Sequence, residues 1–283
     1  MLMARLLHLD VDMLEDDEIM RETKRRVFWT LYMIDRWSSA GLGLHRQFEN
    51  DRGSLNLPMN EVAFHKLQLG DQHRTGISQQ PGLWAYMVTL VEIFGHIQDL
   101  NQHLAREDLG EDYIESTVFD LAERLEKFDS ELPTDVQSTF ENLTTHARQG
   151  VGRTFVALHL GFHHYATLLY FQYLDTQRGA SPNGVLYANR CKLHAAAFSD
   201  LLRTSHETPD CAAVYNIVGH MTVVSSSVLL HTLLFGEDDE LPSARQRLNS
   251  NFELLIKLRD YWPSVRLMVS AAEILMSPID LLL

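Results

Sequence analysis

The chain has 283 residues, 45% of them hydrophobic, so it can bury a large core as one big domain or two smaller ones. Its 24 Lys and Arg against 38 Asp and Glu give a formal net charge of −14. Unaided DNA binding needs a surplus of cations, so this balance argues against it. The two cysteines, Cys191 and Cys211, have no CxxC spacing, which predicts reduced, buried thiols rather than disulfides or a cysteine-rich zinc site.

Helical periodicity runs through the chain, and no segment has the pattern of a strand. The first helix is predicted over 18–39, and residues 47–69 and 70–80 are predicted to be irregular and a polar loop. Further helices are predicted over 81–105, 113–128, 153–175, 185–205, 210–235, 243–261 and 263–276, with a short helix or partly ordered connection over 135–148. The sequence therefore predicts an all-α fold, a single large irregular bundle of about eight to nine helices forming one domain over 1–283.

The first predicted helix carries both an apolar pattern and paired charges. Its apolar residues follow a helical spacing, and we expect four of them to fill a core: Val27, Phe28, Leu31 and Ile34. Glu22 precedes Arg25 and Arg26 by one helical turn, the favourable order for ion pairs. Asp35 gains nothing from the helix dipole so late in the helix, and we expect it to need Arg36, Arg46 or a loop amide as a partner.

Two kinds of charged cluster have alternative interpretations. Arg21, Lys24, Arg25 and Arg26 form the densest basic patch, which could serve nuclear import or phosphate contact. Asp17, Glu18 and Glu22 lie one turn away, however, and neutralisation by them is the favoured interpretation. The acidic runs at 10–18 and 237–240 are typical of solvated loops, with an acidic contact surface for a partner as the alternative.

A search for catalytic motifs finds no GxSxG elbow, no HExxH and no phosphate-binding glycine loop, so the sequence predicts no catalytic residue. The strongest metal-like feature is His159 with His163, at the i, i+4 spacing at which two imidazoles can share a metal. His194, His220 or His231 could supply a third ligand only if the fold happened to bring one of them close to this pair. We therefore expect no metal site, and keep His159 and His163 as the weaker alternative.

Two segments, 154–174 and 212–235, contain no Asp, Glu, Lys or Arg and exceed the roughly 20 residues that span a bilayer. Both contain histidine, and the second also contains several serines and threonines, which are costly in hydrocarbon and ordinary in a packed helix. We therefore predict core helices and no membrane span. Aromatic residues at helical spacing are predicted to be mostly core, and some could line a small-molecule pocket between helices.

The stretch from Glu22 to Asp35 is similar to the signature of the fungal-specific transcription factor domain, the middle homology region of fungal zinc-cluster transcription factors. The matching pattern is E-x-x-R-R-x-F-W-x-x-Y-x-x-D, carried here by Glu22, Arg25, Arg26, Phe28, Trp29, Tyr32 and Asp35. Residues 4–9 resemble the helix that precedes the signature, and Leu57-Pro58 the turn that follows it. The family's Gly-Arg-Pro after the signature helix is absent, since Leu44 and His45 follow Gly43.

The resemblance implies a non-catalytic regulatory region that acts in the nucleus by binding other protein regions or transcription machinery. A small-molecule effector and a homodimer of a longer protein are also considered. The six-cysteine zinc cluster is absent, so we expect no direct DNA binding and no cofactor in this chain, zinc belonging to an N-terminal module that it lacks. We also expect the N-terminal part of the domain to be missing. The alternatives are a helical metal-binding enzyme using His159 and His163, and a scaffold or corepressor-type binder without DNA recognition.

Overall fold

A computed structural model describes residues 7–11, 13, 15–42, 44–48, 55–68, 81–106, 109–175 and 181–266. The described part contains nine α-helices and no strand beyond one isolated bridge, so the all-α prediction is confirmed. The chain divides into two compact units, residues 1–111 and 112–283. The extent of the family domain over 1–283 stays a prediction.

The first unit is built on two long helices, α1 (Glu18–Leu42) and α3 (Leu83–Arg106), which pack against each other. Between them lies the short α2 (Glu61–His65), and an isolated antiparallel bridge joins Met59 to Pro81. α3 buries a wide apolar stripe with eleven buried residues, so it forms the core of this unit. Residues Leu9 and Phe48 add apolar side chains from the connecting segments.

The start of α3 depends on a carboxylate from a distant part of the sequence. Glu61 is buried, and its two oxygens accept hydrogen bonds from the amides of Leu83 and Trp84, each at 2.9 Å. These amides have no partner within their own helix, and the carboxylate also complements the positive end of the helix dipole. Gly82 leaves room for this contact, because a Cβ there would lie 2.5 Å from Glu61 Oε2. The cap thus ties the start of α2 to the start of α3.

The second unit contains six α-helices. They are α4 (Glu111–Ser130), α5 (Phe140–Arg148), α6 (Gly152–Tyr170), α7 (Gly184–Glu207), α8 (Asn216–Phe235) and α9 (Leu241–Tyr261), with short 3-10 helices at Phe171–Leu174 and Pro263–Val265. α6 is buried along almost its whole length because α5, α7 and α8 all pack on it. α7, α8 and α9 also pack on one another.

A buried polar layer joins α7, α8 and α9. Ser199 and Ser225 both donate to the carbonyl of Ala195, at 3.0 and 2.9 Å. Asn251 is fully buried, and its side-chain NH₂ donates to Ser199 at 3.0 Å and to Ser226 at 3.2 Å. Because unpaired buried polar groups are costly, these hydrogen bonds favour one alignment of the three helices.

α8 is the described helix that is long and apolar enough to cross a membrane, judged by length and composition alone. Thr222, Ser225 and Thr232 are buried on it, and each donates its hydroxyl proton to a backbone carbonyl. Its neighbours α7 and α9 cover it from within the unit. These contacts are typical of a core helix in a packed domain and agree with the sequence interpretation.

Several predicted boundaries need correction. Pro81 does not open α3 but forms the bridge with Met59, and the helix begins two residues later. The segment 47–69 was predicted to be irregular yet contains α2, which Asn60 caps by accepting from the amides of Val62 and Ala63. α8 begins at Asn216, because residues 211–215 are not helical and the backbone of Tyr215, directly before the helix, is extended. The predicted loop over 70–80 and most of the predicted helix over 263–276 lie outside the described residues.

Candidate functional site

The family-like signature lies in α1, and its first residue, Glu22, is the centre of a buried polar cluster. The Glu22 side chain is 0% exposed. One oxygen accepts from Arg25 at 2.8 Å, and the other accepts from Arg26 at 2.8 Å and from the Met59 amide at 2.9 Å. Burial raises the pKa of Glu22, and the charges of Arg26 and Arg25 oppose that rise. The predicted ion pairs are therefore present, but they are buried rather than on the helix surface.

Arg26 also binds the backbone of Met59. Its second guanidinium nitrogen donates to the Met59 carbonyl at 2.6 Å, and the guanidinium lies 4.5 Å from the ring centre of Phe64. Glu22 and Arg26 thus bind the amide and the carbonyl of the same residue. This is the pairing that a neighbouring strand would supply, provided here by two side chains of a helix.

Trp29 and Asp35 bind two further backbone sites in the segment that connects α1 to α2. The Trp29 indole donates to the Asn56 carbonyl at 2.9 Å. The Asp35 carboxylate accepts from the amides of Gln47 and Phe48, at 2.9 to 3.1 Å. A loop amide was one of the partners expected for Asp35, and that expectation is confirmed. We call Glu22, Arg26, Trp29 and Asp35, with the backbone they bind at 47–48, 56 and 59, the backbone clamp.

An aromatic layer backs the clamp. Phe28 meets Phe48 edge to face at 5.5 Å between ring centres, and Trp29 meets Tyr32 at 5.2 Å. The Arg36 guanidinium lies 3.4 Å from the ring centre of Tyr32, and burial lowers the pKa of Arg36. Such edge-to-face and cation–π contacts add to the area that the rings bury. They fix the rotation of α1 about its axis.

The predicted apolar core of α1 is wrong for three of its four members. Val27, Leu31 and Ile34 are exposed, whereas Phe28 is half-buried. The polar and aromatic residues on the other side take the interior, because Glu22, Arg25, Trp29, Tyr32, Met33 and Arg36 are buried. Apolar periodicity alone predicted that the opposite face would be buried. It cannot reveal that each charge on the buried face is paired with an opposite charge or with a backbone group.

Sequence reasoning misplaced Arg46, missed Glu61 and predicted only one of the two contacts of Arg36. Arg46 pairs with Asp99 at 2.8 Å and donates to the Gly95 carbonyl at 2.8 Å, rather than meeting Asp35. Arg36 lies 3.9 Å from the Asp35 carboxylate, as one of its expected partners, and it also stacks on Tyr32, which precedes it by four residues in the helix. Glu61 had no local signal, because its partners lie 22 and 23 residues further along the chain.

The basic patch near the start of α1 is neutralised, as the favoured interpretation stated. Arg21 pairs with Glu18 at 3.0 Å and Lys24 with Asp16 at 2.7 Å. With Arg25 and Arg26 bound to Glu22, the four cations of the patch each have a carboxylate partner. This patch therefore offers little free positive charge to a phosphate.

The two histidines of the metal alternative have different partners in the second unit. His159 Nε2 contacts the Val136 carbonyl at 2.9 Å, and burial lowers the pKa of His159 to about 4. His163 Nδ1 contacts His194 Nδ1 at 3.0 Å, and burial lowers their pKa values to about 3 and about 4. Among the described residues, no three His, Cys, Asp or Glu side chains are grouped to hold a metal. Both cysteines are free and buried, as predicted.

The clamp uses its charged and polar groups on the protein's own backbone, so its chemistry is positional. The matching family model is the fungal specific transcription factor domain, which matches residues 2–148 and thus includes the whole clamp. The chain belongs to this family. Its function is accordingly that of a regulatory region of a transcription factor.

Similar proteins agree with this assignment. A Zn(2)-C6 fungal-type transcription factor FTF1c of Fusarium oxysporum f. sp. lycopersici is 21% identical over 88% of this chain and 29% of the relative. Transcriptional regulatory protein C530.11c of Schizosaccharomyces pombe is 22% identical over 90% of this chain and 35% of the relative. The chain spans between a quarter and a third of the length of the FTF1c and FTF1a relatives. No solved structure matches it.

Proposed function

We propose that this chain is the non-catalytic regulatory region of a nuclear zinc-cluster transcription factor, acting through contacts with other protein regions or with transcription machinery. The observation that carries the proposal is the match of the family model over the clamp of α1. Supporting it, the clamp residues bind backbone and rings of their own unit, which is the role of a scaffold rather than a reaction centre.

DNA recognition belongs, in this proposal, to a separate zinc-cluster module. The charge of −14 would repel phosphates, and the basic patch of α1 is already paired with carboxylates. Zinc would be bound by that module, and the regulatory region itself would need no cofactor. A small-molecule effector would act here by modulating protein contacts.

A reporter experiment tests the proposal. The chain is fused to an unrelated DNA-binding domain, and transcription from that domain's binding site is compared with the domain alone. We expect a several-fold change, where activation indicates recruitment of transcription machinery and repression indicates a corepressor-type contact. A folded, nuclear fusion that leaves transcription unchanged would contradict the proposal.

A second measurement separates regulation from DNA binding. The isolated chain should fail to retard duplex DNA in a gel at physiological salt, while the fusion should retard only its own site. Retardation of unrelated DNA by the isolated chain would contradict the assignment of DNA recognition to another module.

A further inference from the structure

Two rows of side chains in the second unit, one on α4 and one on α7, form a shared surface. Residues three or four apart lie on the same side of a helix. The row on α4 has intervals of four, four and three residues and consists of Glu115, Phe119, Glu123 and Glu126. The row on α7 has intervals of four and three residues and consists of Leu186, Arg190 and Leu193. We call the two rows together the α4–α7 face.

Contacts at both ends of the α4 row place it beside α7. The Glu126 carboxylate pairs with the Arg190 guanidinium at 2.7 Å. Burial raises the pKa of Tyr187 on α7, the charge of Arg190 opposes that rise, and the charge of Glu115 adds to it, so Glu115 lies close enough to act on α7. Because both ends of the row reach α7, the two residues between them border α7 as well.

Large apolar side chains of the α4–α7 face are open to solvent. Phe119 is 60% exposed, Leu186 is 50% exposed and Leu193 is 63% exposed. The two leucines lie one helical turn on either side of Arg190, and Phe119 lies in the middle of the α4 row. Apolar residues exposed singly are ordinary, whereas several on one face of a folded unit are typical of a surface that binds a partner.

The α4 side of this face carries negative charge that the fold leaves unpaired. α4 has seven Asp and Glu against two Lys and Arg. Glu123 is exposed, and within the described part of the chain it has no ion-pair partner. Oε1 of Glu115 is buried, and no hydrogen-bond donor among the described residues meets it.

The charges of α7, in contrast, are already paired. Each of them has an opposite charge within 4 Å: Arg190, Lys192, Asp200, Arg203 and Glu207. A cation brought by a partner can therefore meet Glu123 without breaking an existing ion pair. The charge pattern thus favours a basic partner.

We propose that the α4–α7 face binds an amphipathic helix of a partner protein. The aliphatic row of that helix covers Phe119, Leu186 and Leu193, and its lysines or arginines meet the α4 carboxylates. Helices bound in this way present their apolar anchors at intervals of three and four residues. A second copy of this chain fits less well, because its own face carries the same unpaired carboxylates. The inference rests on the protein contacts proposed above as this region's function, and it names the kind of partner.

The size and charge of the face set the character of the interaction. Three exposed apolar side chains provide less area than the roughly 800 Å² per partner of a standard interface, so the contact is weak and transient. Complementary charges at its edge speed association and are screened by salt. We therefore expect a dissociation constant on the order of micromolar at low salt, which rises severalfold at physiological salt.

Fluorescence anisotropy of a labelled synthetic peptide, titrated with the full chain, tests the proposal. The probe is a helical peptide of leucine and lysine, roughly 18 residues or five turns long, with its leucines along one side. It should bind the chain, whereas the same peptide with glutamate in place of lysine should not. A peptide of the same composition with its leucines spread around the helix should bind at least about tenfold more weakly. No binding of the probe, or equal binding of the three peptides, would overturn the proposal.

Matched substitutions locate the site. Glu123→Lys and Leu193→Ser should each weaken binding of the probe by at least about tenfold. Asp238→Lys makes the same charge change at an exposed carboxylate between α8 and α9, and Val185→Ser shortens an exposed aliphatic residue on another side of α7. Both controls should bind as the natural chain does, and circular dichroism verifies that all four variants are folded. Equal weakening by the controls would show that overall charge and hydrophobicity attract the peptide, and it would overturn the site.

Two further measurements separate this inference from its alternatives. A dimer of the natural chain in sedimentation velocity that Leu193→Ser dissolves would assign the face to a second copy and overturn the proposal. In the reporter fusion described above, Glu123→Lys should remove most of the change in transcription. If Glu123→Lys leaves that change intact, the face is not the partner site, although the regulatory function stands. A natural fusion that binds the probe yet leaves transcription unchanged would contradict the regulatory function instead.

Discussion

Two helices, α1 in the first unit and α6 in the second, are held by different chemistry. In the first unit, the key contacts of α1 are charged or polar side chains that bind backbone groups at 47–48, 56 and 59. In the second unit, α6 is surrounded by apolar and aromatic side chains, with histidines kept neutral by burial. Hydrogen-bonded clamps require particular residue types at each position, whereas a packed apolar core tolerates many combinations. This difference explains why a short signature in α1 identified the family.

The buried neutral histidines predict that mild acid will strongly lower the stability of the second unit. Burial lowers the pKa of His159, His163, His164 and His194 to between about 3 and about 4. Below pH 6.5 the unfolded chain binds protons that the folded unit does not, so stability is complete above that pH and falls as pH drops. Each histidine should cost on the order of 1 kcal/mol per pH unit, measured by urea unfolding between pH 7 and 5.

His164→Leu provides the control for the acid effect. It removes one buried titrating group, so the slope of stability against pH should fall by on the order of 1 kcal/mol per pH unit. Hydrogen exchange in α6 should follow the same trend. Stability that stays flat from pH 7 to 5 would contradict the account of neutral buried histidines.

In the first unit, Glu22→Ala should produce the largest effect of a single substitution. It leaves Arg25 and Arg26 without their shared carboxylate and the Met59 amide without its acceptor. The expected loss in the free energy of unfolding is about 3–5 kcal/mol. Glu18→Ala removes a more exposed partner of Arg21 and should cost about 1 kcal/mol or less. Equal losses from the two variants would show that Glu22 is no special centre.

Asp35→Ala should have an intermediate effect. The amides of Gln47 and Phe48 lose a charged acceptor, and water can reach the first of them. We expect a loss of about 2 kcal/mol by urea unfolding. Asp99→Ala breaks the ion pair with Arg46. Because the Asp99 carboxylate is 40% exposed, this substitution should cost less than about 1 kcal/mol. A greater loss for Asp99→Ala would reverse the ranking of the two carboxylates.

The smallest effect is expected on the exposed face of α1. In dilute solution, Ile34→Ala should change stability by less than about 0.5 kcal/mol, because Ile34 is already exposed. The adjacent Met33 is fully buried, so Met33→Ala should cost about 2–5 kcal/mol. The two thermal unfolding curves compare neighbouring residues on opposite faces of α1. Similar curves would refute the assigned rotation of the helix.

Much of the fold was predictable because long helices have strong periodic signals. The ranges of α1, α4, α7 and α9 lie close to the predicted ones. The contacts of Glu22 with its two arginines were predictable as well, since all three lie within one turn. The binding of Met59 was not, because it joins positions 37 residues apart, and no local pattern encodes such a contact.

The buried face of α1 shows the limit of the hydrophobic pattern. Val27, Leu31 and Ile34 have the periodicity of a core, and that periodicity predicted the wrong face. Arg36 and Glu22 are buried because stacking and ion pairs offset their desolvation, and these contacts depend on tertiary partners. The pairing of His163 with His194 likewise depends on how α6 and α7 pack.

Amide hydrogen exchange at Gln47, Phe48 and Met59 tests the central claim most directly, namely that the signature residues act by holding backbone. In the natural chain these three amides should exchange slowly. Asp35→Asn should accelerate exchange at Gln47 and Phe48 while Leu83 and Trp84, which Glu61 caps, stay protected. Fast exchange at all three amides in the natural chain, or protection unaffected by Asp35→Asn, would contradict it.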